Sequence, residues 1–196
     1  MRRRIGTRVS TTIQDFAFLQ VTMLVFVVAA LLAMVHVPKE EAVTNPAAGD
    51  ITVEARWDDG LDVDVDLWVQ GPLDRQPVGY SRRSDVQFGY VRDDVGASND
   101  STGLNYEFSF ARGRAAGTYV VNVHLYSLRG NSPVLVRVAA ALTGPQGRQE
   151  IAARVVKLSF DSEEVTAFTF ELDAKGVLVP NSIRTNQVFL RNRSAP

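Results

Sequence analysis

The chain has 196 residues, and its 21 basic and 22 acidic side chains give a formal net charge of −1. Such a balance offers no general attraction to a phosphate backbone, so we expect no nucleic-acid partner. The absence of cysteine excludes disulfides, thiolate metal sites and cysteine nucleophiles, and two histidines are too few for a multi-histidine metal centre.

Residues 1–14 form a short basic segment, predicted to be cytoplasmic. Its arginines are Arg2, Arg3, Arg4 and Arg8. An uncharged apolar run follows over residues 16–35, which at about 1.5 Å per residue spans a hydrocarbon core of about 30 Å. The run is longer than the apolar core of a cleaved signal peptide, about 7 to 15 residues. It therefore predicts a retained transmembrane helix over residues 15–37.

The charges on either side of the apolar run predict its orientation. The arginines precede the run, whereas Glu40 and Glu41 offset Lys39 after it. The positive-inside rule then places the amino terminus in the cytoplasm and the rest of the chain outside. We expect a bitopic protein of the inner (cytoplasmic) membrane with a periplasmic domain.

Asp15 stands at the start of the apolar run, where a carboxylate that faces lipid is costly and one inside a helix bundle is typically functional. At about 100° per residue, Thr22, Ala29 and Ala33 lie on the same helix face as Asp15. This face of small and hydroxyl side chains favours close packing against another helix, so we expect a homodimer. Alternatively, Asp15 is an interfacial residue stabilised by the positive end of the helix dipole.

The segment TTIQDFAFLQVTMLVFVVAALLAMVHVP resembles the membrane anchor of the ExbD/TolR and MotB families, in which an aspartate near the cytoplasmic end opens a single membrane helix. The resemblance implies that Asp15 is a proton carrier in a complex driven by the proton-motive force. It also implies a multi-span partner similar to MotA, TolQ or ExbB. A helix that serves only as a tether needs no such partner.

Residues 38–50 combine prolines, charges and small residues without apolar periodicity, as in a linker. From residue 51 to residue 175, apolar and polar residues alternate between clusters of turn-forming residues. This pattern predicts one extracytoplasmic all-β sandwich of about eight antiparallel strands. The predicted strands are Ile51 to Trp57, Val63 to Val69, Val86 to Val91, Tyr106 to Phe110, Thr118 to Tyr126, Val134 to Leu142, Glu150 to Phe160 and Val165 to Leu172.

The run DDGLDVDVDLWV places three aspartates on one strand face and the apolar residues between them on the other. Such aspartates are stable if they are solvated, which is our expectation. They are also stable if a calcium ion shares them with the loop from Asp93 to Asp100. The spacing is not that of an EF-hand, and no other cofactor is expected. The candidate calcium ligands are Asp62, Asp64, Asp66, Asp94 and Asp100.

The same strand carries a second resemblance. DVDLWVQGP, followed by GTYVVNVHLYS, is similar to the YfaP-like family of exported domains and, more loosely, to bacterial pre-peptidase carboxy-terminal domains. Both are small β-sandwiches without an established enzymatic activity of their own, so the resemblance implies binding or assembly. Trp68 stands where the family usually has a histidine. The matching residues are Asp64, Asp66, Trp68, Pro72, Gly117 and Tyr119.

Catalytic motifs are missing from the sequence of the outer domain. Strand alternation places His124 on the face opposite the core, so we expect it at the surface. We therefore expect a protein that acts by binding or assembly in a bacterial envelope complex, and not an enzyme. Residues 176–196 form a tail that becomes basic through Arg184, Arg191 and Arg193. The tail is either a partner-binding arm or a last edge strand, and we expect it to be extended and loosely held.

Overall fold

The structure, a computed structural model, describes residues 16–28, 49–96, 103–130 and 133–191. The chain divides into two compact units, Met1–Asn45 and Pro46–Pro196.

Helix α1 is described over residues 16–28 of the first unit. Thr22 is expected on the helix-packing face. Its hydroxyl donates a hydrogen bond to the Phe18 carbonyl at 2.6 Å, so the hydroxyl has a hydrogen-bond partner within its own helix. Within the described residues, no helix has both the length and the apolar character needed to cross a bilayer. Asp15, Ala29 and Ala33 lie outside the described residues, and the span over residues 15–37 stays a prediction.

The second unit contains eight strands in two antiparallel sheets, which confirms the prediction of an all-β domain. Most of the strands turn an apolar side to the interior, as the alternation in the sequence predicts. The strands are β1 (Ile51–Arg56), β2 (Asp64–Gln70), β3 (Phe88–Arg92), β4 (Tyr106–Ala111), β5 (Gly117–Ser127), β6 (Val134–Gly144), β7 (Gly147–Leu158) and β8 (Glu164–Leu172).

The five-stranded sheet has the order β3-β4-β1-β6-β7, and the three-stranded sheet has the order β2-β5-β8. Their facing sides form one apolar core. At its centre the ring of Tyr119 stacks on Phe170 with centroids 4.8 Å apart. The Tyr119 hydroxyl donates to the Ala115 carbonyl and accepts from Gln87 Nε2, both at 2.7 Å. Tyr119 therefore fills the core without leaving a buried hydroxyl unpaired.

The connection from β2 to β3 is organised by the buried carboxylate of Asp74. This side chain accepts hydrogen bonds from the backbone N–H groups of Gly71 at 2.9 Å, Gln87 at 2.6 Å and Phe88 at 3.2 Å. The connection then folds back on β2, and Gly79 lies so close to the Trp68 ring that a Cβ there would be 2.7 Å from it. Asp74 thereby holds the connection against the edge of β2 where the site lies.

The C-terminal tail differs from the prediction of a loosely held segment. β8 pairs with β5 on one side only, and the tail bridges its other edge at Leu178 and Arg184. Further along, Val188 and Leu190 hydrogen-bond to side chains on the outer face of the same sheet. These are contacts between residues distant in the chain, so local composition could not reveal them.

Candidate functional site

The candidate site lies on the outer face of the three-stranded sheet, where polar side chains of β2 and β5 meet. Asp66 is opposite His124 in the strand register, and His124 Nδ1 lies 2.7 Å from Asp66 Oδ2. Asp64, Asp66 and His124 are only 7%, 3% and 1% exposed. The expectations of a solvated acidic face and of a surface histidine are therefore wrong for these residues. The tail covers part of this face, which strand periodicity alone does not predict.

Both ring nitrogens of His124 are engaged. The Arg191 guanidinium contacts His124 Nε2, and because arginine can only donate hydrogen bonds, Nε2 accepts. The proton of a neutral ring then lies on Nδ1, which donates to the Asp66 carboxylate. His124 is the only histidine among the described residues, and this geometry leaves it no free nitrogen to act as a base.

Three carboxylates converge beside this pair. One oxygen each of Asp66, Asp93 and Glu107 lies within 4.8 Å of the other two. Glu107 is fully buried and accepts hydrogen bonds from the backbone N–H of Leu67 and, at 3.4 Å, from that of Asp94. Glu107 belongs to β4 of the opposite sheet, so the cluster forms where β2 and β4 meet.

Burial and mutual repulsion shift the proton equilibria of these acids. Burial first, and the charge of Asp66 second, raise the pKa of Glu107 well above its ordinary value. The same two causes raise the pKa of Asp64 to about 7. Burial also raises the pKa of Asp66, although its hydrogen bond from His124 opposes the shift. Burial and the neighbouring negative charges thus disfavour the ionised form of these carboxylates. A positive charge placed among them would stabilise that form.

A surface pocket of about 220 Å³ opens onto the acids. It is lined by Asp64, Asp66, Tyr80, Asp93, Val95 and Tyr126. The rings of Tyr80 and Tyr126 lie 6.3 Å apart and are tilted at 68° to each other. Carboxylates attract a cation by charge, and aromatic faces attract it through their quadrupole. The combination suits a positively charged guest.

The predicted calcium ligands are only partly brought together. Asp64 and Asp66 line the pocket, whereas Asp62 lies 2.6 Å from the Arg129 guanidinium. Asp94 pairs with Arg92 at 3.2 Å and accepts from the backbone N–H of Gly96. Asp100 is outside the described residues.

The sequence did not predict Tyr80 and Tyr126 of the pocket, nor the neighbouring Glu107, as site residues. Glu107 alternates with aromatic residues in YEFSFA, a pattern that favours an inward face of aromatics. In the structure Glu107, Ser109 and Ala111 are the buried side of β4. A single charged residue in a strand of aromatic and small residues is the feature of the sequence that could have indicated a role for Glu107.

Comparison of the chain with protein-family models, curated proteins and solved structures found no match. The resemblances of the anchor and of the outer domain therefore stay predictions.

Proposed function

We propose that this chain is a single-pass, membrane-anchored protein whose extracytoplasmic β-sandwich acts by binding in an envelope complex. The observation that carries the proposal is the surface pocket in which Asp64, Asp66 and Asp93 face Tyr80 and Tyr126. The engagement of both His124 nitrogens supports binding over acid–base catalysis. The pocket is the ligand site, and the anchor keeps it at the membrane surface.

The ligand is a positively charged group. Two ligand atoms of one calcium ion lie at most about 5 Å apart, because each bond is about 2.3 to 2.6 Å long. One oxygen each of Asp66, Asp93 and Glu107 lies within 4.8 Å of the other two, which meets this limit. An ammonium group in the pocket would use the carboxylates of Asp64, Asp66 and Asp93 together with the tyrosine rings. Calcium and an ammonium group are both cations that carboxylates attract, and the titration below distinguishes between them.

Calorimetric titration of the full chain in detergent tests the proposal with two probes, calcium chloride and methylammonium chloride. We expect one of them to bind, and we expect Asp66→Asn and Asp93→Asn to lower its affinity by about tenfold or more, equivalent to about 1.4 kcal/mol each. Glu171→Gln, which removes one negative charge from an exposed position on β8, is the matched control and should bind as wild type does. Binding of neither probe, or equal binding by the pocket variants, would refute the assignment.

The proton-carrier role of Asp15 is a second candidate function, supported by its position at the start of the apolar run and by Thr22, Ala29 and Ala33 on the same predicted helix face. Its test is the Asp15→Asn variant, with membrane level and co-purifying proteins measured alongside the phenotype. A proton carrier predicts that the variant assembles with a multi-span partner but loses the wild-type phenotype. Full activity of the variant would leave the helix as a tether.

A further inference from the structure

The C-terminal tail first extends the three-stranded sheet at its β8 edge. Val179 N–H donates to the Glu171 carbonyl at 2.9 Å. Arg184 and Thr169 then exchange two backbone hydrogen bonds, at 2.8 and 3.0 Å. Residues 178–184 therefore occupy an edge that no described strand pairs with.

The tail next crosses the outer face of the sheet from β8 towards β2. Val188 N–H donates to Thr166 Oγ1 at 2.8 Å, and its carbonyl accepts from Asn122 Nδ2 at 2.7 Å. Leu190 N–H donates to Glu164 Oε1 at 2.9 Å. Arg191 ends the crossing at His124, with its guanidinium 5.9 Å from the Trp68 ring centroid.

This attachment is polar on both sides. The sheet side chains that hold the crossing segment are buried, with Asn122, His124 and Thr166 at most 1% exposed. The apolar side chains of the crossing segment, by contrast, stand in solvent, with Val188 39% and Phe189 51% exposed. Earlier in the tail, Leu178 packs against the core. The crossing segment therefore contributes hydrogen bonds and little apolar burial, so that its release costs mainly these hydrogen bonds.

Charge also matches the tail to this face. Arg184 and Arg191 are on the tail, and Asp66 and Glu164 lie on the face that it crosses. An identical segment from another molecule would restore every one of these contacts, so exchange costs no interaction. The turn before the tail is held by the exposed Asp173 carboxylate, which accepts from the N–H groups of Lys175 and Val177, and by Arg114, whose guanidinium donates to the Gly176 carbonyl at 3.5 Å. Exchange requires this turn to open.

We propose that the outer face of the β2-β5-β8 sheet is a docking surface for the tail of a second copy of this chain, so that two molecules exchange residues 178–191 to form a dimer. The tail seen here is the closed, intramolecular form of the same contact. This interface is separate from the predicted contact between helices. It adjoins the cation pocket, because Arg191 contacts His124, which holds Asp66, but the test of exchange does not use cation binding.

Disulfide trapping in the full chain tests the exchange, because the sequence has no cysteine of its own. Thr169 and Arg184 form a hydrogen-bonded antiparallel pair, whose Cα separation of about 5.5 Å suits a disulfide. A chain carrying only Thr169→Cys is mixed with a chain carrying only Arg184→Cys and then oxidised in detergent. Exchange predicts a covalent heterodimer whose yield rises with protein concentration.

Two controls make the result decisive. Leu135→Cys replaces Thr169→Cys in the control pair, because Leu135 is 58% exposed on the opposite sheet and reports chance collision or proximity through the anchors. A single chain with both Thr169→Cys and Arg184→Cys should close its own disulfide, which shows that the variants fold and pair. If that bond forms while the mixed chains give no more heterodimer than the control pair, the exchange does not occur.

Discussion

Glu107 joins the two sheets beside the pocket, because its backbone lies in β4 and its carboxylate accepts a hydrogen bond from the Leu67 N–H of β2. Its raised pKa, caused first by burial and then by the charge of Asp66, favours the protonated form. The side chain therefore keeps its proton to a higher pH than an exposed glutamate does. The hydrogen bond to a buried acceptor of this kind contributes a modest net free energy. Removing the acceptor costs more, because it leaves a buried N–H group without a partner.

Substitutions at Glu107 separate hydrogen bonding from charge. Glu107→Gln keeps an acceptor for the Leu67 N–H and loses only the long hydrogen bond from the Asp94 N–H, so we expect it to lower the free energy of unfolding by about 1 kcal/mol. Glu107→Ala leaves a buried N–H unpaired and a void, and we expect it to destabilise the domain by about 2 to 4 kcal/mol. Urea unfolding measures both, and equal losses would contradict the account.

The pKa of Asp64 makes the free energy of unfolding of the domain fall as the pH rises. Its pKa is about 7 in the folded chain, above the value of about 3.9 expected in the unfolded chain. The folded state therefore binds the proton more tightly, and the resulting stabilisation is complete below about pH 4 and is lost as the pH rises through about 7.

Asp64→Asn should remove this contribution. Above about pH 7 we expect the variant to be more stable than wild type by on the order of 1 kcal/mol, since solvent screening reduces the effect. The difference should shrink as the pH falls towards 4. Thermal unfolding of both proteins across this range checks the prediction, with Glu171→Gln as the charge control. A stability difference independent of pH would disagree with it.

The sequence predicts the positions of the strands, because these depend on residues close together in the chain. The eight strands follow from alternation and from turn residues, and their observed ends lie close to the predicted ones. The sheet order β3-β4-β1-β6-β7 and β2-β5-β8 depends on contacts between distant segments, as do the burial of His124 under the tail and the approach of Glu107 to Asp66. Periodicity gives the face of a side chain, and only the tertiary structure shows what covers that face.

The connection between β2 and β3 offers a test at this scale. Asp74 accepts three backbone hydrogen bonds there, and Asp74→Ala would leave those N–H groups without a partner. We expect a loss of about 2 to 4 kcal/mol in the free energy of unfolding. Because the connection carries Tyr80, cation affinity should also fall. Leu73→Ala, at a neighbouring side chain that is 54% exposed, should change neither quantity.

At the scale of the whole chain, the proposal requires an anchor in the membrane and the sandwich outside the cytoplasm. We expect the full chain to stay in the membrane pellet after alkaline extraction, because an apolar run of twenty residues favours the bilayer. Protease added to spheroplasts should reach residues 46–196 but not the basic amino-terminal segment. Recovery in the alkaline supernatant, or full protection of the sandwich, would contradict this topology.

Cation binding in the pocket can be followed by tyrosine-sensitised terbium luminescence, since Tb³⁺ occupies oxygen-rich cation sites and the sensitising tyrosine ring must lie close to the ion. We expect luminescence when Tb³⁺ is titrated into the full chain, its loss in Asp66→Asn, its reduction in Tyr80→Leu and no change in Glu171→Gln. Competition by calcium or methylammonium would then show which guest the pocket prefers. An absence of sensitised luminescence, or luminescence that survives in Asp66→Asn, would contradict cation binding in this pocket.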